Sequence, residues 1–569
     1  MRILMLAHAF NSLAQRLWVE LEARGHALSL EFDIHEQVTL EAAQRFDPEL
    51  ILAPFMKRRI PAAVWRRWRT LIVHPGIEGD RGPSSLDWAI QEGERDWGVT
   101  VIEAAEAFDA GDIWAAERFE MRPAAKSSLY RNEVTEAAVR AVLAALARLG
   151  DPAFRPRPLA AVGGATRGRE RPAMRQADRR IDWRRDPSAV VLRKIHAADG
   201  HPGVADTLFG EPVFLHGAHA EDALRGGVPG EPFARRDGAV LVATVDGAVW
   251  ITHLRRAGPP PGLKLSAGRA FPGPVGRLPE VPLALEARSA GRTWREIRYE
   301  EHGEVGALHF AFHNGAMDRL QCERLREALA RAKARPTKVI VLMGGEDFWS
   351  NGIHLNVIEA AEAPADESWA NINAIDDLAL EILGAGRQLT IAALQGNAGA
   401  GGVFLALAAD RVIAREGVVL NPHYKGMGNL FGSEYWTYLL PRRVGAARAE
   451  AITQGRLPLG AGEAARIGLM DGCLPGDPAA FRAAVLAEAA ALARDPAFGA
   501  RLSGKRAARA RDEAQKPLAA YRAEELARMK LNFYGFDPSY HVARHHFVHK
   551  LPRSRTPLYL ARHRASAPA

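Results

Sequence analysis

A chain of 569 residues, 47% hydrophobic and 25% charged, is too long for one core and too apolar to be disordered, so three or four globular domains are expected. No apolar run approaches the ~20 residues of a membrane span, and the first residues enter a strand with no signal-peptide pattern, which points to a cytoplasmic protein without membrane attachment. The net charge of +8, from 75 basic against 67 acidic residues, is modest and scattered; it suits small phosphate-bearing ligands, nucleic acid is not expected as a partner, and two cysteines without CxxC spacing give neither a disulfide framework nor a thiolate metal site.

MRILMLAH (residues 1–8) is an apolar strand, and Asn11-Ser12 followed by Gln15 reads as a helix start with a capping box. Residues 50–53 and 71–73 are further short apolar strands separated by helical stretches, a βαβ rhythm that implies a parallel sheet with ligands at the strand C-termini. His74 lies at such an end in LIVHPGIEGDRGPSSLDWAI, and Asp109 follows the strand 99–102 in AFDAGDIW. A lone histidine after a strand is more often structural than catalytic.

Residues 151–180 are rich in Pro, Gly and Arg without apolar periodicity and read as a linker. A short amphipathic helix follows, then LVATVDGAVWITHL, two strands around Asp246-Gly247 with a hairpin signal. Residues 258–282 are again Pro- and Gly-rich and mark a boundary.

In the C-terminal half, the β-branched strand 339–343 leads to WSNGIHL, where Gly352 lets the backbone turn sharply. In QGNAGAGGVFLALAAD, Gly401 and Gly402 open a helix, so their amides lie at the positive end of its dipole with nothing intrahelical to bond. Amides from two such turns can converge on one carbonyl oxygen; taken singly, each is also compatible with an ordinary tight turn. NPHYKGMGNLFGSEYWTYLLP (residues 421–441) places Tyr424, Lys425, Glu434, Tyr435 and Tyr438 among glycines in a loop near a ligand, with Tyr424 and Glu434 the preferred acid–base pair. Their structural alternative is a core tyrosine bonded to a surface-helix glutamate. In SYHVARHHFVHK, His541, His545 and His549 share one helical face, but no HExxH accompanies them and no metal site is expected. The end, PRSRTPLYLARHRASAPA, reads as partly disordered.

GDRGPSSLDWAI, GVTVIEAAEAFDAGDI and APFMKRRIP, in this order, resemble the catalytic core of formyltetrahydrofolate-using formyltransferases. That resemblance implies catalytic roles for His74 and Asp109, a pterin resting against the backbone around Arg59 and Ile60, and a departure at Ile72, where the family carries an asparagine. From about residue 297 to 475, VGALHFAFHNGAMD, VIVLMGG and LGAGEAARIGLMDG, with the two glycine turns, resemble the crotonase (enoyl-CoA hydratase/isomerase) family. Here the resemblance implies oxyanion amides at Ile353 and Gly401, flanked by Gly352 and Gly402, while the hydratase carboxylates would fall on Phe404 and His423, neither of them an acid. The two together resemble the HoxX/HypX type of NiFe-hydrogenase maturation factor. What this implies is a multidomain α/β chain: a Rossmann-like formyltransferase domain (1–150), the linker (151–180), a small β-rich formyltransferase C-terminal domain (181–280) and a crotonase-like domain with a helical C-terminal extension (281–569). It further implies formyl transfer from 10-formyltetrahydrofolate to coenzyme A, decarbonylation of formyl-CoA to carbon monoxide, one coenzyme A serving both sites, and hydrogenase-maturation proteins as partners. An amine or tRNA formyltransferase with an inert crotonase scaffold, or a non-catalytic folate or acyl-CoA binding module, stays open beside it.

Overall fold

The computed structural model describes residues 1–289 and 291–565. Contacts divide the chain into two units, one of Met1–Val281, Ser289–Trp294 and Pro552–Ala569, the other of Pro282–Arg288 and Arg295–Leu551.

Apolar runs build the first sheet of the first unit from β1 (Arg2–Ala7), β2 (Ala27–Phe32), β3 (Leu50–Phe55), β4 (Thr70–His74), β5 (Asp96–Glu103) and β6 (Ile113–Glu120), in the order β2-β1-β3-β4-β5-β6. It is parallel through β4, but β5 and β6 add antiparallel, Leu71 facing Glu103 and Thr100 facing Ala116. The wholly parallel sheet expected from sequence is therefore a mixed one, because apolar runs mark buried strands without recording their direction. The first helix, Ser12–Ala23, is capped by Asn11, whose side chain accepts from Ala14 N. The cap is thus one residue earlier than Ser12, and Gln15 Nε2 donates to Phe10 O at 2.8 Å.

The arginines of residues 151–180 run along this domain rather than through solvent. Arg169 and Arg171 reach Glu92 at 3.2 and 2.9 Å, Arg167 pairs with Glu94 and Asp96, and Trp88 Nε1 donates to Pro172 O at 2.9 Å. An antiparallel sheet follows, β7 (Val204–Leu208), β8 (Glu211–Glu221), β9 (Pro232–Arg236), β10 (Ala239–Ala243), β11 (Ala248–Arg256) and β12 (Leu265–Ser266). Its β10–β11 hairpin closes at Asp246-Gly247 with Ala243 opposite Ala248, as the sequence implied. The helix Ser188–Ala198 buries Val191 and Ile195 against this sheet.

The tail expected to be disordered is ordered through residue 565; the last four residues of that expectation lie outside the described ones. Leu560 O accepts from Leu30 N of β2 at 2.9 Å. Glu31, fully buried, takes Thr556, His563 and Arg564 as partners. A buried carboxylate requires such partners, and no local pattern in the tail announces that it supplies them.

The second unit carries β13 (Ile297–His302), β14 (Val305–Phe310), β15 (Val339–Met343), β17 (Leu389–Leu394), β19 (Arg411–Arg415) and β22 (Gly472–Leu474) in one sheet, parallel apart from the β13–β14 hairpin. A smaller sheet holds β16 (Phe348–Ser350), β18 (Asn397–Gly399), β20 (Val419–Asn421) and β21 (Leu459–Gly460). Alternation along β15 sends Val339, Val341 and Met343 to the helix Pro478–Arg494, and Ile340 and Leu342 to the core shared with the helices Arg319–Lys333 and Pro364–Leu383. Among the described residues no helix is long and apolar enough to cross a membrane.

Candidate active sites

His74 ends β4 and is 5% exposed. The turn after it is pinned from three sides: Pro75 O accepts from Ser85 Oγ and Trp97 Nε1, both at 3.0 Å, and Gly76 O accepts from Thr100 Oγ1 at 2.8 Å. A Cβ on Gly76 would lie 2.4 Å from His74 Nε2 and 2.5 Å from Asp80 Oδ2, so glycine is what allows the imidazole and carboxylate to meet. They do, at 3.0 Å, and on the other side His74 Nδ1 lies 3.6 Å from Asp109 Oδ2. Asp109 adopts φ +50°, and its Oδ2 accepts from Gly82 N at 3.2 Å. Asp80 Oδ1 is buried and has no hydrogen-bond partner among the described residues.

Thus the two carboxylates flank one ring. Asp80 was not anticipated; the glycines on either side of it hint at a returning turn, but spacing alone does not say which acid of that stretch faces the histidine. Ile72, where the resemblance led to an expected asparagine, packs with the apolar cluster of Ile51, Val64 and Trp68. Ile60 belongs to the same cluster, 6% exposed, and the Arg59 guanidinium covers the Phe108 ring at 5.1 Å.

In the second unit, Gly352 turns with φ +78°, its carbonyl taking Met317 N at 2.9 Å and its amide donating to Ser350 Oγ at 3.1 Å. A Cβ on it would lie 3.4 Å from Gly401 N, so this turn faces the first residue of the helix Gly401–Leu407. Gly402 is equally constrained, its would-be Cβ 2.0 Å from Ser350 O. The entry residue Ala400 has φ +47° and ψ −129°, a strained conformation for a residue with a side chain. Among the described residues neither the Ile353 nor the Gly401 amide has an acceptor.

Tyr424 and Glu434 meet against this helix start. Tyr424 Oη donates to Glu434 Oε2 at 2.5 Å, and Glu434 Oε1 lies only 1.9 Å from where a Cβ on Gly401 would stand. Phe404, the position at which the resemblance put a hydratase carboxylate, stacks on Tyr424 as an aromatic buttress, ring centroids 5.3 Å apart and planes 20° from parallel. Glu434 and Tyr435 both adopt left-handed backbone, φ +61° and +59°. Two buried acids hold that pair of non-glycine residues in place: Glu434 N donates to Asp376 Oδ1 at 2.8 Å and Tyr435 N to Glu525 Oε2 at 2.9 Å. Ser433 Oγ also reaches Asp376 Oδ2 at 2.8 Å.

Burial and mutual repulsion push these carboxyls upward. Glu434 rises to about 8, through burial first and then the charge of Asp376; Asp376 and Glu525 each rise to about 7, chiefly through burial. The Tyr424 phenol is pushed well above its usual value by burial and the adjoining Glu434. His423 falls to about 4 through burial and the charge of Arg456, so it is a neutral imidazole near pH 7 and no substitute for a carboxylate. Tyr438 is turned elsewhere, donating to Asp512 Oδ2 at 2.8 Å.

Comparisons with known proteins agree with this division. The chain matches the family models for formyl transferase over residues 28–146, formyl transferase C-terminal domain over 173–261, and enoyl-CoA hydratase/isomerase over 309–529. It is 30% identical over 179 residues to methionyl-tRNA formyltransferase of Variovorax paradoxus, covering 31% of this chain and 54% of that one. Similarity over the full length is stronger: 56% identity to hydrogenase maturation factor HoxX of Bradyrhizobium diazoefficiens, covering 99% of this chain and 97% of that protein. The crystal structure of HypX from Aquifex aeolicus in complex with tetrahydrofolic acid superposes with a TM-score of 0.96 at 49% identity, covering 100% of both chains. The chain belongs to the HoxX/HypX family of hydrogenase maturation factors, with formyltransferase N- and C-terminal domains joined to a crotonase domain.

Proposed function

We propose that the chain makes carbon monoxide for hydrogenase assembly in two steps: formyl transfer from 10-formyltetrahydrofolate to the thiol of coenzyme A, then breakdown of formyl-CoA to carbon monoxide and coenzyme A. Folate use is supported by the tetrahydrofolic acid in the Aquifex HypX crystals and by the orphaned Asp80 Oδ1, a buried acceptor suited to a ligand N–H. The stretch around Arg59 and Ile60 is where the pterin would rest.

In the first step Asp80 accepts from His74 Nε2–H and so leaves the Nδ1 lone pair free. His74 Nδ1 takes the thiol proton as sulfur adds to the formyl carbon; the resulting imidazolium, steadied by Asp109, donates to the oxyanion. Collapse breaks the carbon–nitrogen bond, and His74 returns the proton to the departing folate nitrogen. A thiol is ionised easily enough to do without the amide donor lost at Ile72.

For the second step the Ile353 and Gly401 amides take the thioester oxygen, with Gly352 and Gly402 allowing close approach. Glu434 removes the formyl proton, the carbon–sulfur electron pair leaves on sulfur, and carbon monoxide departs. Tyr424 protonates the thiolate and recovers its proton from Glu434. Formyl-CoA thereby becomes carbon monoxide and free thiol with no redox partner.

The observation that carries this reading is the Tyr424–Glu434 pair lying against Gly401, where Phe404 has replaced the hydratase acid. Purified protein given 10-formyltetrahydrofolate labelled in the formyl carbon, with coenzyme A and haemoglobin as trap, is expected to yield labelled carbon monoxide. Absence of labelled gas, or release independent of coenzyme A, would overturn the proposal.

A further inference from the structure

The helix Leu355–Ala360 begins two residues after Ile353 and packs against the helix Ser539–Val548. Between them, Glu359 Oε1 lies 2.7 Å from His545 Nδ1 and 3.3 Å from His549 Nε2. The other carboxylate oxygen, Oε2, is taken by Arg544 Nε at 2.7 Å. The two imidazoles stand one turn apart, ring centroids 4.3 Å from each other, and the three ligating atoms all fall within 4.8 Å of one another. His541, the third histidine of the face, is engaged elsewhere, with Phe533 O and Arg544 Nη1 both at 2.9 Å.

We propose that Glu359, His545 and His549 bind a first-row divalent transition ion such as zinc, in a three-residue site with an open coordination position. Two imidazole nitrogens and one carboxylate oxygen suit zinc, copper or nickel and not calcium or magnesium. A tetrahedral zinc with bonds of about 2.0–2.1 Å separates neighbouring ligand atoms by about 3.4 Å. The Glu359–His549 distance of 3.3 Å already meets this, and His545 at 2.7 Å has under 1 Å to give. Arg544 fixes the carboxylate through the oxygen that would not ligate, the arrangement an outer partner takes around a metal ligand. The side chains of His545 and His549 are 50% and 35% exposed, which leaves an entry path, while Glu359 at 11% is anchored.

Sequence alone suggested no metal here because the histidines lack a neighbouring acid; the fold brings one from a helix almost two hundred residues earlier. An ion at this point ties the helix Ser539–Val548 to the helix that directly follows the Ile353 turn. Its occupancy would stiffen the backbone that presents the Ile353 amide. The site itself is independent of what chemistry that amide serves.

Untagged full-length chain, stripped by a chelator and dialysed, is titrated with zinc chloride by calorimetry and with cobalt chloride by visible absorption. The expected result is one saturable equivalent with the d–d bands of a tetrahedral cobalt centre. His545→Ala and His549→Ala should each weaken zinc binding about tenfold or more, whereas His546→Ala, an exposed neighbour with no part in the cluster, leaves it unchanged. Zinc should also raise the thermal midpoint of wild type but not of His549→Ala. Failure of wild type to take up a saturable equivalent, or undiminished affinity in His549→Ala, overturns the proposal.

Discussion

The phenol oxygen of Tyr424 lies 2.5 Å from Glu434 Oε2, and the same carboxyl group presses its other oxygen against the Cα of Gly401. Acid, base and helix-end amide are therefore fixed within one contact set. Glu434→Gln keeps the shape and removes the base. It is expected to lower carbon monoxide release from supplied formyl-CoA by about 10²–10⁴-fold while leaving formyl transfer to coenzyme A intact, as measured by trapping the gas and separately assaying the thioester.

His74→Ala is expected to abolish gas formation from 10-formyltetrahydrofolate yet retain it from supplied formyl-CoA. Asp80→Asn should lose about 10²–10⁴-fold in the transfer step, because an amide can present its NH₂ to Nε2 and reverse the tautomer. Rescue of both His74→Ala and Glu434→Gln by formyl-CoA, or of neither, would contradict the separation of steps.

The raised carboxyls give opposite pH trends for activity and stability. Glu434 rises from its ordinary 4.5 to about 8, so the fold holds a proton that the unfolded chain releases in this window. Its contribution is fully present below about 4.5 and lost as pH climbs through about 8. Asp376 and Glu525 act in the same sense up to about 7. Wild type should lose thermal midpoint relative to Glu434→Gln between pH 5 and about 8 in parallel melts, while decarbonylation gains rate over the same range as the base ionises.

Gly401→Ala places a methyl group 1.9 Å from Glu434 Oε1 and 2.4 Å from its Cδ. The acid must move or the helix start must shift, and decarbonylation should fall by about 10²–10³-fold, with KM for formyl-CoA raised and far-ultraviolet circular dichroism unchanged.

In the tail, His563→Ala combined with Arg564→Ala strips fully buried Glu31 of both cationic partners and leaves it the Thr556 hydroxyl and the Phe32 amide. A loss of about 3–5 kcal/mol is expected on chemical unfolding of the first unit. Adding Glu31→Gln should recover much of it, since the uncompensated charge is then gone.

What could be read in advance was whatever a short run of chain encodes. The strand before His74, the turn at Gly352, the helix opened by Gly401 and the hairpin at Asp246-Gly247 each rest on local glycine, capping or apolar patterning, and each stands where expected. Asp376 and Glu525 could not be read this way. They lie on helices 58 and 91 residues from Glu434, in ordinary amphipathic sequence, and what makes them matter is the left-handed backbone at Glu434 and Tyr435 that they hold. Strand direction at β5 and the docking of the tail on β2 were hidden for the same reason, being settled by pairings distant along the chain.

The return of residues 552–565 to β2 makes the crotonase domain an insertion within the formyltransferase-bearing unit rather than an appendage to it. A single proteolytic nick between the two would not set them free of one another, since the segment beyond the crotonase helices remains clasped on Glu31. Activity that depends on both domains would thus survive limited digestion that severs one connection, and be lost when both are severed, or when the connection before Arg295 is cut and the clasp is opened as well.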